Sequence, residues 1–179
     1  MTETTELAIR EVGPEATDAL AALLVEVTAA GASVGFMHPL APEKARAWWR
    51  SALADAARGG RVVFAAFAGA ALAGTVTLHT ALPENQPHRA EVMKLQVGLA
   101  WRKRGLGERL MRAAEERAAA LGRSVLVLDT ASDDARRLYE RLGWDKVGDV
   151  PDYALWPDGR PCATTFYWKR LELTASHIS

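Results

Sequence analysis

The feature that most constrains the fold is a basic, glycine-containing segment, residues 102–107, between a strand-like run and a helix-like run. Polar and apolar residues alternate over residues 89–99, which is typical of a β-strand. Apolar residues then recur at helical spacing from Leu106 to Leu121, and Gly122 ends the pattern. Unpaired backbone N–H groups and the positive end of the helix meet at such a turn, so the segment predicts a site for an anion such as a diphosphate. Its residues are Arg102, Lys103, Arg104, Gly105, Leu106 and Gly107.

The order of the other periodic segments predicts the fold class. Strand-like runs cover residues 7–12, 61–67, 72–79, 89–99, 125–128, 144–147 and 163–171. Helix-like runs precede Gly31, follow Pro42, span residues 106–121 and begin at Ser132 or Asp133. This order predicts an α/β fold of the α+β type, with one mixed, mostly antiparallel sheet of about seven strands flanked by four helices. We expect a single domain over residues 1–173 and a flexible C-terminal tail over residues 174–179.

Composition and charge disfavour several function classes. Lys plus Arg and Asp plus Glu number 22 each, so no overall field favours nucleic acid or an anionic membrane as a partner. Cys162 is the only cysteine, which excludes an intrachain disulfide and fits a reducing compartment. The first residues lack the pattern of a signal peptide, and the few histidines have no metal-ligand spacing. We therefore expect a cytoplasmic protein, monomer or homodimer, without a metal.

Three other interpretations of residues 102–107 compete with a diphosphate site. One is a solvated basic turn whose glycines only cap the helix. A loop for nucleoside triphosphates is disfavoured, because Glu108 follows Gly107 where a lysine followed by Ser or Thr is needed. A dinucleotide fingerprint requires a small residue where Leu110 stands, although Asp129 imitates its ribose-binding acid. From the residues alone, a solvated basic turn and an incomplete dinucleotide fingerprint both remain alternatives to a diphosphate site.

Part of the segment matches a known signature. Arg102, Gly105 and Gly107 fit the pattern Q/R-x-x-G-x-G/A of the GNAT superfamily of N-acetyltransferases, which the predicted element order also resembles. The resemblance implies the GNAT fold and acetyl-CoA as co-substrate, with residues 102–107 holding the coenzyme pyrophosphate. It also implies that the preceding strand offers backbone groups to the acetyl and pantetheine arms. The coenzyme-binding residues expected outside the segment are Leu95, Gln96, Val97, Ser132 and Tyr139.

The chain also resembles the tabtoxin-resistance acetyltransferases of that superfamily. The similar segments are residues 31–37 (GASVGFM), 89–92 (RAEV), 128–130 (LDT) and 157–160 (PDGR). The resemblance implies direct attack on acetyl-CoA by the primary amine of a small amino-acid-like acceptor, such as a toxin or antibiotic of the tabtoxinine-β-lactam type. The chain departs from that group around Cys162 and Ala163 and in its tryptophan-rich second helix, so its substrate can differ. A peptide or protein acetyltransferase and a non-catalytic acyl-CoA sensor are the alternatives.

Two carboxylates are candidates for the general base. Strict alternation puts Glu91 on the same side as the apolar Met93, Leu95 and Val97, where a carboxylate requires an explanation. A salt bridge to a nearby arginine, or a bulge that turns Glu91 to solvent, is the alternative to a base. Asp129 ends an apolar strand, where such sheets place ligand-contacting side chains, but it can equally cap the next helix. Which of the two takes the proton stays open.

A tyrosine and two segments complete the predicted site. Periodicity alone predicts that Tyr139 is a core aromatic. The matching tyrosine of the GNAT family directs its hydroxyl at the coenzyme sulfur, so the resemblance implies that Tyr139 protonates the leaving thiolate. Ala135 and Gly143-Trp144 match the same family motif. Loops on a rigid scaffold usually carry specificity. The substrate-binding residues expected on this basis are Ser33, Phe36, Met37, Glu91, Asp129, Tyr153 and Trp156.

Overall fold

The computed structural model describes residues 6–173, so the predicted tail at 174–179 lies outside the described residues. The strands are β1 (Leu7–Glu11), β2 (Arg61–Ala68), β3 (Ala71–His79), β4 (Arg89–Val97), β5 (Val125–Thr130), β6 (Asp145–Leu155) and β7 (Pro161–Arg170). The α-helices are α1 (Thr17–Ala29), α2 (Pro42–Ala57), α3 (Leu106–Ala120) and α4 (Asp133–Arg141). Among these helices none is long and apolar enough to cross a membrane.

The strands form one sheet in the order β1-β2-β3-β4-β5-β7-β6. Neighbouring strands run antiparallel except β4 and β5, which are parallel. The parallel pair requires a crossover connection, and α3 supplies it. The predicted fold class, a mixed and mostly antiparallel sheet flanked by helices, is therefore confirmed.

Helices cover both faces of the sheet. On one face α1 and α2 bury Leu20, Leu24 and Trp49 against β2, and we call it the α1/α2 face. On the other, the α3/α4 face, Leu110 and Tyr139 belong to a cluster with side chains from the central strands. These contacts use the apolar stripes that the sequence predicts for the helices. The two layers fix the ends of β4 and β5 relative to α3.

A bulge interrupts β4. The register between β3 and β4 shifts after the pair Thr77 and Met93, and Lys94 adopts a left-handed φ of 55°. The prediction of strict alternation is therefore wrong. Ala90 and Val92 join the α3/α4 cluster, so Glu91 and Met93 face the α1/α2 side, whereas Leu95 and Val97 pack against the α3/α4 cluster. Because the bulge adds a residue at Lys94, the side chains that follow point to the face opposite to the one that strict alternation predicts.

Strand β6 is longer than predicted. The sequence indicated a strand over residues 144–147, but β6 spans Asp145–Leu155 and contains Tyr153, which we expected in a loop. Its register with β7 is irregular at two places, and Asp152 has a φ of 53°. As an edge strand with mostly exposed residues, β6 carries no alternating burial that a sequence pattern could reveal.

Gly74 on β3 gives a first testable prediction. A β-carbon there would lie 2.8 Å from the Gln96 carbonyl oxygen and 3.1 Å from Leu110 Cδ1. Gly74→Ala is expected to lower the free energy of unfolding by about 1–3 kcal/mol, because neither the backbone nor the core beneath α3 has room for the methyl group. Urea unfolding measures the change. Gly148→Ala is the matched control, since a β-carbon at Gly148 meets nothing within 4 Å. Equal stabilities for the two variants would contradict this packing.

Candidate active site

The site lies where β4 and β5 separate. The two strands pair only over Arg89, Ala90 and Glu91, and beyond Glu91 β4 pairs with β3 alone. The remaining edge of β4 offers unpaired backbone groups to a ligand. The Gln96 side chain is buried beside this edge, and neither its amide nitrogen nor its amide oxygen has a partner among the described residues. Between the two strands there is thus an opening along which β4 has no neighbouring strand among residues 6–173.

The basic segment forms the mouth of this opening. Gly105 precedes the first turn of α3 with a left-handed φ of 73°, and a β-carbon there would meet nothing within 4 Å. No side chain among the described residues caps the N-terminus of α3. Arg102, Lys103 and Arg104 are exposed, and the Arg102 Nε donates to the Val97 carbonyl at 3.2 Å. Uncapped N–H groups, the helix dipole and three cations fit a diphosphate.

Gly107 has a packing role as well. A β-carbon at Gly107 would lie 3.2 Å from Leu138 Cδ2 on α4, so the glycine lets α3 approach α4 closely. Ser132 caps α4, with its hydroxyl accepting a hydrogen bond from the Ala135 N–H at 3.2 Å. Leu106 is buried in the α3/α4 cluster. Both helices therefore pack together on the α3/α4 face of the sheet.

Glu91 forms a salt bridge. Its carboxylate accepts a hydrogen bond from Arg89 at 2.9 Å, and His79 Nδ1 lies 4.0 Å away. Arg89 is itself held by Gln86, whose side-chain oxygen accepts from its Nε at 3.0 Å. The salt bridge to a nearby arginine, which was one alternative to a catalytic base for Glu91, is therefore present. Glu91 nevertheless faces the α1/α2 side beside the opening.

Asp129 lies on the neighbouring strand and shares that face. Leu126 and Leu128 pack against the α3/α4 cluster, so Asp129 points to the opposite face, as Glu91 does. Its carboxylate accepts a hydrogen bond from the Thr164 hydroxyl at 2.7 Å. The cap of the next helix, which was the alternative role, is taken by Ser132. The Asp129 side chain is thus exposed at the opening and held by one neutral donor.

Tyr139 is buried on the last turn of α4 and lies between Trp144 and Tyr167, with ring centroids 6.0 Å and 5.8 Å away. Burial raises the pKa of its hydroxyl well above the usual value, and the charge of Asp129 raises it further. The hydroxyl has no hydrogen-bond partner among the described residues, whereas the Tyr167 hydroxyl donates to Glu140 at 2.9 Å. Of these two buried tyrosines, Tyr139 is the one left free to donate a proton.

The two segments predicted to bind substrate, residues 33–37 and 153–156, are joined through the residues that follow them. The His38 N–H donates to the Pro157 carbonyl at 3.0 Å, which joins the loop before α2 to the turn after β6. Ser33 Oγ lies 3.9 Å from the buried Cys162 Sγ. Met37, in the loop before α2, is exposed. Trp156, in the turn after β6, is half-buried.

The aromatic residues of these segments lie in different places. Phe36 packs edge-on against Trp48 of α2, with ring centroids 6.0 Å apart. Tyr153 is exposed on β6 and packs edge-on against Phe166, 5.7 Å between centroids. Phe166 is the register partner of Asp129. One aromatic therefore belongs to the α1/α2 layer and the other to the edge of the sheet near Asp129.

Lys94 is a residue that our sequence reasoning missed. The bulge directs its ammonium toward the loop before α2, where Nζ donates to the Val34 carbonyl at 2.8 Å. Nζ also lies 5.1 Å from the ring centroid of Trp48 and 5.9 Å from that of Phe36. Burial lowers the pKa of this ammonium, and the charge of Asp129 opposes part of the shift. The available signal was a charged residue within the strand expected over residues 89–99.

The family of the chain follows from a match over most of its length. The model of the acetyltransferase (GNAT) family matches residues 24–144, which include β4, residues 102–107 and Tyr139. The chain therefore belongs to this family. The prediction of an acetyl-CoA-dependent acetyltransferase is confirmed.

Solved structures agree with this assignment at the level of the fold. An N-acetyltransferase from Staphylococcus aureus Mu50 has a TM-score of 0.79 at 18% identity, covering 93% of this chain and 99% of its own. A ribosomal-protein-alanine N-acetyltransferase from Brucella melitensis gives 0.77 at 21%, covering 92% and 99%. A GNAT superfamily phosphinothricin acetyltransferase from Sinorhizobium meliloti, in complex with acetyl-CoA, gives 0.81 at 16%, covering 95% and 91%. The shared fold extends over nearly the whole of each chain.

Proposed function

We propose that the protein transfers the acetyl group of acetyl-CoA to the primary amine of a small amino-acid-like acceptor, such as a toxin or antibiotic. The observation that carries this proposal is the opening between β4 and β5, which has the uncapped N-terminus of α3 at one side and Asp129 at the other. A donor and an acceptor can enter such an opening from different sides and meet in it. Tyr139 lies beside the same opening.

The coenzyme would be held mainly by main-chain groups. Residues 102–107 and the first turn of α3 suit the pyrophosphate. The edge of β4 at Leu95, Gln96 and Val97, which pairs with no strand on the β5 side and whose Val97 carbonyl accepts from Arg102, suits the pantetheine arm. Bound acetyl-CoA supplies a thioester carbonyl that an amine can attack. Ser132, at the start of α4, lies on the same side of the sheet.

Asp129 is our choice for the group that takes the amine proton, directly or through a water. The charge of Glu91 is balanced by Arg89, whereas Asp129 accepts from the neutral Thr164 hydroxyl. An unbalanced carboxylate binds an ammonium more strongly, and it accepts a proton more readily than one that is paired with a guanidinium. Glu91 then contributes by placing Arg89 and by shaping the same face.

Tyr139 would supply a proton to the departing thiolate. A tyrosine hydroxyl is protonated at neutral pH even at its ordinary pKa, so Tyr139 can act as a donor and not as a base. The hydroxyl has no competing partner within residues 6–173. Acid and base would thus come from different elements, α4 and β5, on either side of the reacting atoms.

Thiol release from acetyl-CoA tests the proposed function. Purified protein is incubated with acetyl-CoA and separate panels of free amino acids, β-lactam amines, polyamines and short peptides. A reaction without an added amine is the control for hydrolysis of acetyl-CoA. We expect release with at least one small amino-acid-like amine. Release with peptides alone would instead identify a peptide acetyltransferase. Acetyl-CoA binding in calorimetry without release in any panel would identify an acyl-CoA sensor.

A further inference from the structure

The Lys94 ammonium has no ionic partner in residues 6–173. It is half-buried, its nearest hydrogen-bond acceptor is the neutral Val34 carbonyl, and no described carboxylate forms an ion pair with it. Buried charges in proteins are ordinarily paired, because desolvation of a lone charge is costly. Of the nearby carboxylates, Asp129 acts on Lys94 through its charge without reaching it. Residues 6–173 therefore supply no counter-ion that pairs with Lys94.

The surroundings of Lys94 leave room for such a counter-ion. An ammonium has three N–H donors, and the Val34 carbonyl uses one of them. The rings of Trp48 and Phe36 flank Nζ but accept no conventional hydrogen bond. A β-carbon at Gly35 would lie 3.3 Å from Nζ, so the glycine prevents a side chain from crowding the ammonium. Two donors thus remain for a ligand at the edge of the loop that we expect to contact the acceptor.

Lys94 and Asp129 together present one positive and one negative group. Both lie on the α1/α2 side of the strand separation, one on β4 and the other on β5. We infer that Lys94 binds the carboxylate of the acceptor while Asp129 faces its amine, so that the enzyme selects amino acids whose carboxylate and amine are both free. This inference rests on the proposed function and specifies the chemistry of its substrate.

A purely structural role for Lys94 predicts a different outcome. If the ammonium served only to hold the loop before α2 to the bulge, its loss would lower kcat/KM equally for every acceptor. If it binds the carboxylate, its loss must lower kcat/KM much more for acceptors with a carboxylate than for the corresponding carboxamides. The ratio of kcat/KM for a matched acid and amide therefore separates the two roles.

The experiment compares wild type with Lys94→Met and Lys94→Arg. Each protein is assayed by thiol release with a set of free amino acids, the corresponding amino-acid amides and the corresponding decarboxylated amines. Met is unbranched and close in length to Lys. Lys, Met and Arg are all unbranched at Cβ, so neither replacement should make the left-handed φ of residue 94 less favourable than it is for Lys. Thermal unfolding and acetyl-CoA affinity, measured for all three proteins, establish that each is folded.

We expect wild type to prefer the acid over the amide by about tenfold to a hundredfold, as charge-assisted hydrogen bonds allow. Lys94→Met should bring this ratio close to one, mainly through KM for the acid, and Lys94→Arg should keep part of it. A wild-type enzyme that uses acids and amides equally, or a Lys94→Met enzyme that keeps the preference, overturns the inference but leaves the proposed function intact. Absence of thiol release with every amine overturns both.

Discussion

Replacing Tyr139 with phenylalanine is expected to lower kcat by about a hundredfold or more, the usual contribution of a general acid. The change removes the hydroxyl of a buried residue beside the opening, and this hydroxyl has no hydrogen-bond partner among residues 6–173. Because no hydrogen bond between described residues is lost and the volume is nearly conserved, stability should change by less than about 1 kcal/mol. Acetyl-CoA affinity, measured by calorimetry, should be unchanged.

Tyr167→Phe is the matched control for that variant. The Tyr167 ring contacts the Tyr139 ring, but its hydroxyl donates to Glu140. Its removal should lower the free energy of unfolding by about 1–3 kcal/mol, since the charged acceptor loses its donor, and should leave kcat nearly unchanged. Unaltered turnover in Tyr139→Phe, or an equal loss in Tyr167→Phe, would exclude Tyr139 as the acid.

Asp129→Asn is expected to lower kcat/KM by about a hundredfold or more, because the amide cannot take a proton from the amine. The Asn side chain can still accept from Thr164, so the local structure should persist. Thiol release measured over a series of acceptor concentrations gives kcat/KM for the variant and for wild type.

Glu91→Gln provides the comparison for Asp129→Asn. A glutamine can still accept the hydrogen bond from Arg89, and the charge that it removes is already balanced. We therefore expect less than about a tenfold loss. The reverse order of the two variants would make Glu91 the base, and equal large losses would indicate that the two carboxylates act together through a water.

Periodicity in the sequence predicted the elements whose burial has a simple repeat. The helix expected over residues 106–121 is Leu106–Ala120, and the strand expected over 125–128 is Val125–Thr130. The glycine-containing turn between β4 and α3 was also predictable, because its conformation depends on local backbone geometry. Side-chain contacts between distant segments were not predictable in this way.

The bulge at Lys94 is the clearest case of information absent from the local sequence. A glycine at a left-handed position would have signalled a bulge, but a lysine gives no such signal. The contacts that give Lys94 and Asp129 their environment join residues 60 and 35 positions apart, to Val34 and Thr164. Such pairs follow from the order of strands in the sheet, which one sequence does not display.

The unpaired edge of β4 has a consequence for how such a protein diverges. Main-chain N–H and C=O groups are common to nearly all amino acids, so a ligand held by them is insensitive to most substitutions. Selection then acts on the path of the chain, through positions such as Gly74, where a β-carbon would meet the Gln96 carbonyl oxygen, and Gly105, whose left-handed φ most residues rarely adopt. Drift of the remaining residues is compatible with a neighbour that shares 16% identity and still has a TM-score of 0.81.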